Sequence, residues 1–178
     1  MFVTQKINRT QAQIRLAKNP RPFTKRRDII KVELIYLPSY LFSISIKSSQ
    51  HDLVIEEICV DAIAGEFAFF KRTELTTYPI LPSRKYEFII SESEAEVAAL
   101  DQYKKFILKQ NLKAKSRNEI QSTVLNKKIY YPFWIGYFYR KGALDFEVLD
   151  GVSGILQGAK MRPVFINLLL QDKEKIDY

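Results

Sequence analysis

Apolar residues recur along the chain with two periods, and the changes of period mark the elements. Over residues 93–113, Ala99, Leu100, Tyr103, Phe106 and Ile107 fall on one side of a helix, and Ser93 with Glu96 forms a capping signature at its start. Ile7, Ile14 and Ala17 suggest a second helix over about residues 4–18, ended by Pro20 and Pro22. Elsewhere the period drops to two. Residues 32–47, 53–60 and 66–71 read as one set of three strands, and 127–140, 143–149 and 155–161 as another. In the second set Leu144, Phe146 and Val148 alternate with charged neighbours, and Lys141-Gly142 and Asp150-Gly151 supply hairpin turns. Tyr86–Ile90 reads as a short additional strand, and Pro163 opens a C-terminal helix carrying Phe165, Leu168 and Leu169.

The two sets share more than their order. Ile35-Tyr36-Leu37-Pro38-Ser39-Tyr40-Leu41 reappears as Ile129-Tyr130-Tyr131-Pro132-Phe133-Trp134-Ile135, and downstream Asp61-Ala62-Ile63-Ala64-Gly65 matches Asp150-Gly151-Val152-Ser153-Gly154. Two matches in the same order point to an internal duplication. The fold expected is α+β, with two α-β-β-β units over residues 1–90 and 91–178 whose antiparallel meanders are related by a pseudo-two-fold. Asp61, Gly65, Asp150, Gly151 and Gly154 then have a structural role, in which the Asp oxygens hold turn amides and the glycines accept positive φ. Pro38 and Pro132 lack a ladder donor, so an edge, a strand start or a bulge is expected there.

The segments Val60-Asp61-Ala62-Ile63-Ala64-Gly65 and Leu149-Asp150-Gly151-Val152-Ser153-Gly154 resemble the "VDA.TG" pattern of PepSY-like domains, small α-β-β-β repeat units. The resemblance covers most of the chain as two copies. It implies an inhibitory or binding module without catalytic residues. Members of that family are mostly extracytoplasmic, whereas Lys6 and Arg9 interrupt the first ten residues here where a secretory signal needs an apolar run, so a cytoplasmic protein is expected.

The inventory of reactive groups is short. Among 178 residues Cys59 is the single cysteine and His51 the single histidine, which excludes an intramolecular disulfide and zinc sites built from repeated Cys and His. Cys59 lies in the apolar run Ile58-Cys59-Val60 and reads as a buried hydrophobe rather than half of a Cys–His nucleophilic pair. Neither G-x-G-x-x-G nor G-x-x-x-x-G-K-[ST] occurs. Glu56 and Glu57 are strand neighbours pointing to opposite faces, so they cannot act together on one substrate. No catalytic residue, metal site or cofactor is assigned.

Charge changes the picture. The net charge is +8, yet residues 1–30 hold eight basic residues against Asp28, and 104–128 hold eight against Glu119, so these two stretches carry +14 and the remainder −6. Superposing Pro38 on Pro132 aligns the two basic stretches. Arg15, Lys18, Arg26, Arg27, Lys105, Lys109, Lys113 and Lys115 are therefore candidates for a polyanion surface, with neighbouring aromatics able to stack on unpaired bases. The aromatic run 130–139 has too many rings for one face of a strand. It is read either as a strand buried on both sides or as a protein interface; Tyr40, Tyr131, Phe133, Trp134, Phe165 and Leu169 are the interface candidates. The C-terminal helix, if uncovered, would dock on a second copy as a homodimer. The favoured function is a non-enzymatic module binding a protein or peptide, followed by nucleic-acid binding through the basic segments, and then by a small-ligand pocket or enzyme.

Overall fold

Extended segments dominate, and two of them are unusually long. The computed structural model describes residues 1–18, 27–48, 53–70, 86–114, 117–159 and 161–174. The elements are α1 (Arg9–Ala17), β1 (Lys31–Ser48), β2 (Val54–Asp61), β3 (Phe67–Phe69), α2 (Glu92–Ala114), β4 (Asn118–Arg140), β5 (Ala143–Asp150) and α3 (Arg162–Glu174). The class is mixed α+β, with a five-stranded antiparallel sheet in the order β3-β2-β1-β4-β5. At the β4–β5 hairpin Arg140 pairs with Ala143, and both intervening residues, Lys141 and Gly142, have positive φ (52° and 81°), as a tight primed turn requires.

Several expectations need correction. The strand expected at 155–161 is a single bridge, Leu149 to Leu156, and Tyr86–Ile90 forms no strand. β4 starts nine residues earlier than expected, because Asn118–Asn126 is a polar segment in which only Ile120 and Leu125 turn toward the core. The cap of α2 is Ser91 with Glu94: the Ser91 amide donates to the Glu94 carboxylate (2.7 Å) and the Glu94 amide to the Ser91 hydroxyl (3.3 Å). Helix α1 is shorter than expected. It begins after Asn8, which forms a capping box with Gln11, and it buries Ala12 and Leu16 while Ile14 stays exposed. Pro38 and Pro132 lie inside long strands, one residue beyond the last rung of each hairpin ladder, Ser39–Asp61 and Phe133–Asp150. There only their carbonyls are used, by the Ala62 amide (2.8 Å) and the Gly151 amide (2.9 Å).

The chain divides into two compact units, and the cut passes through β1 and β4. The first unit is built from Pro38–Thr73 and Glu87–Ile129. Its core joins Tyr40, Phe42, Ile44 and Ile46 of β1 with Ile58 and Val60 of β2 and with Ala95, Ala99, Tyr103 and Ile107 of α2. The second unit is chiefly Phe2–Leu37 and Tyr130–Tyr178. One cluster there joins Ile7, Ala12 and Leu16 to Val32, Trp134 and Leu149. In the same unit α3 buries Val164, Phe165 and Leu168, with Phe165 edge-on to Phe133 at 5.0 Å. Helix α2 thus packs on β2 and β3, the strands of the first sequence half, and α1 packs on β5, a strand of the second.

Candidate functional site

The Asp-containing turns are the most completely specified places in the chain. Asp61 is buried and its carboxylate accepts the amides of Ile63 (3.0 Å), Ala64 (2.7 Å) and Glu66 (2.6 Å). Asp150 accepts those of Val152 (2.8 Å) and Ser153 (2.9 Å), and Tyr131 donates its hydroxyl to it. Gly65 and Gly154 close the turns at φ 75° and 69°. Both carboxylates are committed to turn amides, so neither stands ready as an acid or base.

Each turn also secures the segment leading into a helix. The Ala62 carbonyl accepts the amides of Ile89 (2.9 Å) and Ile90 (3.0 Å), and the Gly151 carbonyl those of Lys6 and Ile7 (2.9 Å each). The Ile90 carbonyl accepts the Tyr40 hydroxyl at 2.8 Å, and the Ile7 carbonyl accepts Trp134 Nε1–H at 2.8 Å. From the helices, Gln102 donates to the Gly65 carbonyl and Arg15 to the Gly154 carbonyl. Tyr40 and Trp134 each follow the strand proline by two residues, and their buried polar tips have these partners for the reason that an unpaired buried donor is costly.

That placement decides the aromatic candidates. Tyr40, Phe133, Trp134 and Phe165 are buried in the chain's own interior and form no free surface, while Tyr131 and Leu169 are half-buried. Of the run 130–139, residues 130–138 are buried or half-buried, as a strand covered on both faces requires, while Tyr139 at its end is 68% exposed.

The basic candidates separate into engaged and unengaged groups. Arg26 and Lys115, and with them His51, lie outside the described residues. Arg15 serves the Gly154 turn, Arg27 is paired with Glu147 at 2.9 Å and lies 4.9 Å above the Phe138 ring, and Lys105 is paired with Asp101 at 2.6 Å. Lys18 is exposed. On α2 the acidic Glu92, Glu94, Glu96 and Asp101 precede Lys104, Lys105, Lys109 and Lys113, an order that complements the helix macrodipole. The lysines therefore have a local reason to be where they are.

A surface that the sequence reading passed over lies on the same helix. Opposite its buried row, α2 presents Val97, Asp101, Lys104, Leu108 and Leu112, spaced 4-3-4-4, with Val97, Leu108 and Leu112 exposed by 67%, 62% and 74%. Lys105, Lys109 and Lys113 flank this row. The signal was present in the sequence: once Ala99, Tyr103, Phe106 and Ile107 define the buried side, Leu108 and Leu112 fall on the other.

Elsewhere among the described residues little chemistry is available. The Cys59 thiol is pushed up to about 12 by burial, moderated by a Ser39 hydrogen bond and raised further by the Asp61 charge, so it is no nucleophile at neutral pH. Tyr103 donates to Glu56 at 2.7 Å, and its phenol is raised above the ordinary range by burial and by that carboxylate. Among the described residues no group of three His, Cys, Asp or Glu is placed to hold a metal ion, and no helix is long and apolar enough to cross a membrane. Comparison with protein-family models, curated proteins and solved structures gives no significant match.

Proposed function

We propose that the chain is a non-catalytic interaction module, made by duplication of one α-β-β-β unit, that docks a helical, acidic segment of a protein partner on the outer face of α2. The duplication is supported by the two sets of corresponding hydrogen bonds around Asp61 and Asp150, the same segments that resemble PepSY-like domains. The observation that carries the docking surface is the exposed row Val97, Leu108 and Leu112 on a helix whose opposite side already fills a core. Apolar side chains at three- and four-residue spacing are what a partner helix packs against. Lys104 within the row and Lys109 and Lys113 beside it have no carboxylate partner among the described residues, which supports an acidic partner.

The test titrates the full chain with a fluorescent amphipathic peptide of Leu and Glu heptads and, separately, with duplex DNA. Leu108→Glu with Leu112→Glu removes two exposed leucines without entering the core, so its melting temperature stays at the wild-type value. Peptide binding lost by this variant is the expected result. DNA binding that Lys109→Glu with Lys113→Glu abolishes, with no peptide binding, would replace this reading with a nucleic-acid one.

A further inference from the structure

A cleft of about 190 Å³ opens along β5, with Arg140, Phe146, Glu147, Gln157, Gly158 and Arg162 on its walls. It belongs entirely to the second unit and shares no residue with the outer face of α2. Its charges form an alternating chain. Arg162 is paired with Asp145, whose other oxygen takes Arg140 Nε at 3.0 Å. Arg140 Nη2 lies 3.7 Å from the Glu147 oxygen that already takes Arg27 Nη2 at 2.9 Å. Three guanidinium groups thus share two carboxylates, leaving one surplus positive charge. The Arg27 side chain is only 9% exposed, and its Nη1 is buried without a hydrogen-bond partner.

The planes of these guanidinium groups are held by rings. Phe138 lies beneath both Arg27 (4.9 Å) and Arg140 (5.5 Å), and Phe146 beneath Arg162 (4.5 Å). Arg162 Nη1 is further fixed on the Phe146 carbonyl at 3.0 Å. Arg140 Nη1 and Arg162 Nε have no partner among the described residues, so two arginines that line the cleft each keep an unmatched donor group. Oriented guanidinium donors with net positive charge match the planar oxygens of an anion. The volume is below the roughly 300 Å³ at which pockets for larger organic ligands begin.

We propose that this cleft binds a compact oxyanion, a phosphate or carboxylate group on a small molecule, through Arg140 and Arg162, with Phe146 against its carbon part. The test uses the full ¹⁵N-labelled chain titrated with inorganic phosphate in one arm and acetate in another, against sodium chloride at equal ionic strength. The readouts are the Arg Nε–H resonances and the amides of Gln157 and Gly158. Saturable shifts in either arm beyond those of chloride are expected, and the stronger arm identifies the head group. Arg140→Gln, at a side chain half in solvent, weakens that binding about tenfold or more. Arg162→Lys keeps the charge and loses the planar fork, and it also weakens binding. Shifts equal to those of chloride in both arms, or unaltered affinity in both variants, would overturn the proposal.

Discussion

Gly151 is where the strand proline and the Asp turn meet, and Gly151→Ala measures how rigid that junction is. A Cβ added there would sit 2.8 Å from the Pro132 carbonyl oxygen and 3.0 Å from the Pro132 Cβ. A comfortable carbon–oxygen contact is about 3.3 Å or more, so the two backbones must part by about half an ångström. Neither is free to do so. The Gly151 amide donates to that same oxygen at 2.9 Å, and the Gly151 carbonyl carries the amides of Lys6 and Ile7. Overpacking of this kind costs about 1–3 kcal/mol, and weakening the amide bond adds about 1 kcal/mol, giving a loss of about 2–4 kcal/mol. Gly142→Ala is the matched control: its φ is 81° but nothing lies within 4 Å, so only the left-handed conformation is strained, at about 1–2 kcal/mol. Urea titration followed by circular dichroism reads both variants, as a shift of midpoint at constant slope. A Gly151→Ala loss no larger than that of Gly142→Ala would refute the claim that steric closure at the proline fixes this turn.

Two further outcomes follow from titrating groups. Burial pushes the Asp145 carboxyl up, but hydrogen bonds from Arg162 and the Phe146 amide and the charges of Arg162 and Arg140 outweigh it, and its folded pKa lies below the ordinary 3.8. A lowered carboxylate pKa stabilises the fold fully above pH 3.8, and that contribution fades as pH falls through the folded value. Stability measured from pH 5 downward should therefore fall less steeply in Asp145→Asn than in the wild type; parallel curves would contradict the pairing. Cys59, with its thiol raised to about 12, should resist a thiol-specific disulfide reagent at pH 8 in the native chain and react fully in urea. Rapid native reaction would show that the thiol is not enclosed.

The two Asp turns could be read from the chain because they rest on residue types with few alternative uses. A proline inside a strand is awkward unless only its carbonyl is needed, and an Asp followed four residues later by Gly is what a turn with a left-handed closing residue demands. Tyr40 and Trp134 look unlike in sequence, yet each places a hydrogen-bond donor at the end of a large ring two residues after the proline, and each reaches the carbonyl of the isoleucine before a helix cap. A reading by hydrophobicity makes them interface anchors; a reading that asks where a buried donor goes makes them struts. What the chain did not disclose is which hairpin each helix covers. The stripes Ala12–Leu16 and Ala99–Tyr103–Ile107 say only that a face is apolar, and both hairpins offer the same kind of surface. The choice is made by pairings more than 20 residues apart in sequence: the Gly151 carbonyl takes the lead of α1 and the Ala62 carbonyl the lead of α2. Once each helix is fixed in this way, its second face is set as well. With its inner face buried, α2 leaves Val97, Leu108 and Leu112 exposed, whereas the aromatic run is spent in the interior.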